Sequence, residues 1–106
     1  MINARFHSVA RLEFLDGVTY YEAMELGLGN RFRQSVEAAV SLALSLPLAG
    51  SPYKHGTRRV FPKMFPYSIV YMVEKNAIVI FAVAQFRRKP GQWRGRRHDT
   101  SMVIPS

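Results

Sequence analysis

The chain has 106 residues, 48% apolar and 12% aromatic, with a net charge of +8 and no cysteine. That length supports one hydrophobic core and, on folding, removes roughly 60 to 70% of the chain's accessible surface from water. The composition is that of a folded globular protein, and without cysteine there is no disulfide framework, thiolate metal site or cysteine nucleophile.

Residues 2–6 (INARF) read as a short first strand, and Ser8 stands where a helix N-cap accepts a backbone N–H. From Val9 to Leu26 the recurrence of Leu12, Leu15, Val18, Tyr21 and Met24 predicts a helix, with Glu13, Asp16, Glu22 and Glu25 on its solvated face. Gly17 weakens that helix by about 1 kcal/mol relative to alanine. Gly27-Leu28-Gly29-Asn30 reads as a turn, because its glycines supply the positive φ that ends one helix before the next begins. It lacks the third glycine of a nucleotide-binding loop and does not follow a strand. From Asn30 to Leu46, Phe32, Val36, Ala39, Val40, Ala43 and Leu46 form a strong amphipathic stripe. Two helices joined by so short a link should pack as an antiparallel hairpin.

Pro47 to Gly56 holds two prolines and two glycines and reads as a loop. Three strands are expected after it. The first is 57–63 (TRRVFPK), in which Pro62 cannot donate to a ladder and marks an edge or a strand end. The second is Tyr67–Val73, and the third, Ala77–Phe86, is apolar on both faces, as suits a central strand covered by the helices on one side. Glu74-Lys75-Asn76 reads as the hairpin turn between them. Arg87 to Arg97 (RRKPGQWRGRR) is a charge run broken by Pro90, Gly91 and Gly95 that should leave the sheet. The expected class is therefore α+β: an N-terminal strand, a two-helix hairpin, then a mainly antiparallel sheet of three further strands. It forms one domain over 1–97 with a tail over 98–106.

The charge is unevenly distributed. Residues 1–52 carry four arginines against five carboxylates, whereas residues 53–106 carry eleven Lys/Arg against only Glu74 and Asp99. Such segregation points to a polyanionic partner, either nucleic acid or an acidic protein segment. No apolar run approaches the roughly 18 to 20 residues that cross a bilayer, and MINARFHSVARL lacks the apolar stretch of a secretion signal, so a cytoplasmic chain with no membrane partner is expected. His7, His55 and His98 lie far apart with no metal-ligand spacing, and no metal or other cofactor is expected. His55, beside the basic strand, is the one histidine placed to act as an acid or base near neutral pH. His7, at the strand-to-helix junction, reads as structural.

The order strand, helix, helix, strand, strand, strand, with YYEAMELGLGNRF at 20–32, FPYSIVY at 65–71, AIVIFAVAQ at 77–85 and RRKPGQW at 87–93, resembles the RelE/ParE family of toxins over about residues 5–97. The resemblance implies a growth-inhibiting toxin held as a hetero-oligomer by a cognate antitoxin. RelE-like members cleave mRNA in the ribosomal decoding site, whereas ParE-like members inhibit DNA gyrase without known catalysis, and the shared fold does not choose between them. On the RelE pattern, Arg87 matches a catalytic-site arginine and Lys63 a second basic position. Arg59, Arg88, Lys89 and Trp93 are then the expected nucleic-acid contacts. Arginine offers phosphate a bidentate fork and lysine a point charge. Two positions depart from that pattern: Trp93 replaces an active-site tyrosine and has only an N–H donor, and Ser68 stands where the pattern has an arginine.

Overall fold

A computed structural model of the chain describes residues 3–86. Its elements are β1 (Asn3–Phe6), α1 (Ser8–Met24), α2 (Leu28–Ser45), β2 (Ser51–Pro52), a 3-10 turn at Lys54–Gly56, β3 (Arg58–Val60), β4 (Tyr67–Glu74) and β5 (Ala77–Gln85). The strands form one sheet in the order β1-β5-β4-β3-β2. β1 runs parallel to β5, and the other pairings are antiparallel. This is the α+β arrangement expected from the sequence, extended by one short strand, β2, inside the stretch read as a loop. Gly56 with φ 75° turns the chain back, so that Ser51 and Pro52 pair with Arg59 and Arg58.

The hairpin covers one face of the sheet. α2 buries the stripe its sequence announces, Phe32, Val36, Ala39, Val40 and Ala43, against Val60, Tyr67, Ile69, Tyr71, Ile78, Ile80 and Val83; only Leu46 of that stripe is exposed, because the helix ends at Ser45. Each large side chain so buried contributes about 1.5 to 3 kcal/mol. α1 packs through only part of the stripe expected. Val18 and Tyr21 pack against the core as predicted, whereas Leu12, Leu15 and Met24 are exposed and Ala10, Phe14, Gly17 and Glu13, the last expected on the solvated face, take their places. The packed face, positions 10, 13, 14, 17, 18 and 21, keeps the helical period but its phase is turned from the predicted one about the shared positions 18 and 21. Small residues fix that phase: Ala10 and Gly17 let the helix approach its neighbours closely, and a Cβ added to Gly17 would lie 2.6 Å from the Phe32 ring.

The helix boundaries also shift. His7, not Ser8, caps α1: its Nδ1 accepts the Val9 N–H at 3.0 Å, while its own N–H donates to the Ile80 carbonyl and extends the β1–β5 pairing. Gly27 alone takes the positive φ, 88°, and α2 starts at Leu28, so Gly29 and Asn30 are helical rather than part of a turn. Glu22 makes this early start possible, since its carboxylate accepts the N–H groups of Gly27 (2.9 Å) and Gly29 (3.0 Å), which the young helix cannot satisfy internally.

β5 is bulged. Val70 pairs with Ala82 but Tyr71 pairs with Ile80, so the register shifts by one residue at Phe81. Ile78 and Ile80 therefore face the helices before the bulge and Val83 after it, while Val79, Phe81 and Ala82 lie on the outer face.

Candidate functional site

The two arginines of β3 alternate across the sheet and do different work. Arg58 stands opposite Tyr71 on the helix side, and its Nη1 donates to the carbonyls of Leu48 (3.0 Å) and Gly50 (2.8 Å), which ties the loop after α2 to the strand. Arg59 stands opposite Val70 on the outer face. Its guanidinium lies between two rings, 4.1 Å from the Tyr53 centroid and 5.2 Å from that of Phe61. Its Nε is buried without a hydrogen-bond partner, and among the described residues no acid pairs with it, so the two rings are its neighbours there. A guanidinium stacked in this way keeps its positive charge while losing rotamer freedom, and it needs no carboxylate that would neutralise it.

Tyr53 reaches that position because β2 and the 3-10 turn fold it back over Val70, Ala82 and Ala84. Phe61, just past the end of β3, is 44% exposed; its ring meets that of Phe86, 57% exposed, edge-on at 6.0 Å. Ser68, aligned with Ala84 on β4, is buried in the floor of this face and carries no charge into it.

Lys63 is not on a strand. The sequence reading carried the first strand of the sheet to residue 63, but β3 ends at Val60. The connection that follows contains Pro62 and Met64 with φ 71°, a geometry that breaks the ladder. The Lys63 carbonyl accepts the Ser35 hydroxyl at 2.6 Å, which holds the connection on α2. Lys63 thus lines a shallow groove of about 370 Å³ with Ser35, Ala39 and Leu42 of α2 and with Phe61, Met64 and Phe65 of the connection. Phe61 is common to the groove and the ring cluster, so it adjoins both the site of Arg59 and the groove that Lys63 lines. His55 is exposed on the 3-10 turn with φ 60°. Arg87, Arg88, Lys89 and Trp93 lie outside the described residues.

The sequence pointed to Arg59 but not to its clamp. Tyr53 lay in an apparent loop, and its return to Arg59 depends on a two-residue strand that no periodicity reveals. One charge feature was available and sharpens the picture: from Glu37 to Glu74 the chain has no acidic residue, and that span includes all of β2, β3 and the connection after them. Among the described residues no group of histidines, aspartates and glutamates could hold a metal ion, and no helix is long and apolar enough to cross a membrane.

No protein-family model matches the chain, and no curated protein matches it either. Among solved structures, a chain from the chromosomal ParDE TA system of P. aeruginosa is similar to it, with a TM-score of 0.69 and 18% sequence identity, over 80% of this chain and 96% of that one. The architecture is the RelE/ParE-like fold that the sequence motifs implied.

Proposed function

We propose that this protein is the growth-arresting toxin of a toxin–antitoxin pair, acting on RNA through the outer side of its sheet and cleaving mRNA at the ribosome. The observation that carries this reading is Arg59, fixed between Tyr53 and Phe61 on a stretch of chain that is free of carboxylates. Cations kept in place without an acidic partner are suited to a phosphate backbone.

In cleavage, a 2′-hydroxyl gives up its proton to solvent as its oxygen attacks the neighbouring phosphate. The bond from phosphorus to the next nucleotide's 5′-oxygen breaks, and that oxygen takes a proton from solvent, leaving a 2′,3′-cyclic phosphate and a 5′-hydroxyl. Cations stabilise the charge that gathers on the non-bridging oxygens. Arg59 and Lys63 supply two of these contacts. Arg87 is the candidate for the reacting phosphate itself. Arg88 and Lys89 extend the backbone contact, and Trp93 stacks on a base. The cognate antitoxin presents an acidic or amphipathic segment that covers part of the basic half, by folding as it binds.

A second reading has its own support. Lys63 lines the groove along α2, which Arg59 does not line, and the fold is shared with a chain of a ParDE system, which suits a ParE-like inhibitor of DNA gyrase that binds and performs no chemistry. Inducing the chain without its antitoxin separates the two. Arrest of translation with cut transcripts and normal plasmid supercoiling supports the ribonuclease; loss of supercoiling and DNA damage signalling with intact transcripts supports the gyrase inhibitor.

A further inference from the structure

We propose that Phe61 is a stacking platform for one unpaired base of a single-stranded nucleic acid, with Arg59 and Lys63 taking the phosphates on either side of that base. This rests on the reading of the outer sheet side as an RNA-contacting surface and adds which part of the RNA it grips.

Three observations lead there. First, Phe61 is a large apolar ring left 44% exposed at the rim where the sheet's outer face meets the groove along α2, and Phe86 beside it is 57% exposed. Their edge-on contact at 6.0 Å braces the Phe61 ring against rotation while keeping part of it open. A braced ring loses little conformational entropy when a planar ligand lands on it. Second, cations adjoin the ring: the Arg59 guanidinium lies over it, 5.2 Å from its centroid, and the exposed Lys63, two residues on in the chain, lines the same groove as the ring. Third, the segment that carries the ring holds no charge that would repel phosphate, since no Asp or Glu occurs between Glu37 and Glu74.

Aromatic rings interleaved with cations form the pattern that holds single strands, because every base has a π-face and every linkage a charge. Duplex offers phosphates but no free base face, so the platform favours unpaired strands over paired ones. An apolar protein segment would use the rings but gain nothing from the two cations beside them, and for this reason nucleic acid is the favoured occupant.

The test is fluorescence anisotropy with the full-length chain and three labelled probes: a single-stranded uridine RNA, the same ribose-phosphate chain with its bases removed, and a duplex RNA. Phe61→Leu keeps the apolar bulk at the rim and removes the ring, while Phe61→Trp restores a larger one; thermal melting of both checks that the fold survives. The expected result is that Phe61→Leu weakens binding of the uridine RNA roughly 5- to 100-fold and that of the base-free chain and of duplex by a clearly smaller factor, because the ring also helps to hold Arg59, with Phe61→Trp restoring affinity. Equal affinity of wild type and Phe61→Leu for the uridine RNA overturns the platform while leaving the phosphate contacts intact, as does an equal loss on the base-free chain. A wild-type chain that binds none of the three probes overturns the RNA reading together with the platform.

Discussion

Glu13 of α1 accepts the backbone N–H of Val83 at 2.9 Å, at the point where β5 has run past the end of β1. The last β1–β5 pairing is Phe6 with Ile80, and the His7 N–H closes it. Beyond that point the N–H of Val83 faces no strand, and the helix supplies a carboxylate in its place. Hydrogen bonds to a charged acceptor contribute about 1.5 to 3 kcal/mol, and a buried donor left without one loses a similar amount. Glu13→Leu should therefore lower unfolding stability by about 2 to 3 kcal/mol. Glu13→Gln, which keeps an acceptor oxygen, should cost about half of that, as read by urea denaturation.

Gly17 and Phe32 set the distance between the two helices. Alanine at position 17 gains about 1 kcal/mol in helix propensity, but its Cβ would lie 2.6 Å from a ring that is fully buried and cannot give way. Overpacking of that kind costs about 1 to 3 kcal/mol. The melting temperature of Gly17→Ala should fall by several degrees; a rise would mean that the helices part freely.

Tyr21 predicts the response to alkali. Burial, and after it the neighbouring Tyr67 and Tyr20 hydroxyls, hold its phenol above the ordinary value of 10.0. The folded state therefore keeps a proton that the unfolded chain releases, so this contribution to stability is complete below pH 10 and is lost as pH rises through the folded-state value. The melting temperature should decline above about pH 10. Tyr21→Phe should flatten that decline, measured as melting temperature against pH with phenolate absorbance as the monitor.

The features legible in the sequence were those with a strong period or a strong charge: the α2 stripe, the β4 and β5 runs, and the basic half of the chain. The α1 face was legible only in part because its buried side holds Ala10, Glu13 and Gly17, residues that hydropathy does not mark as core. A carboxylate reads as solvent-facing unless it is known that a strand N–H in the sheet beneath the helix needs an acceptor. β2 escaped notice for a related reason: a two-residue strand containing Pro52 is defined by its partner, Arg58–Arg59, and by no pattern of its own. Of the candidate site, Arg59 and Lys63 were identifiable as cations, but the place of Lys63 on the groove follows from β3 stopping at Val60.

Arg59 and Arg87 should differ in the way they fail. Arg59→Ala removes one phosphate contact and opens the gap between Tyr53 and Phe61, so RNA affinity falls and its salt slope drops by about one. Arg87→Ala should leave affinity nearly intact and lower cleavage roughly 10²- to 10³-fold, the usual cost of losing one group that stabilises the transition state. Single-turnover cleavage beside equilibrium binding distinguishes them. Full growth arrest by the Arg87 variant would remove that residue from the site.

The most direct measurement is the affinity of the full-length chain for single-stranded RNA as a function of salt. If about six cations neutralise phosphates, the dissociation constant should rise near a thousandfold between 50 and 200 mM monovalent salt. An affinity that stays level across that range, or no binding at its lower end, would contradict the assignment of the Arg59 side of the sheet to a nucleic-acid target.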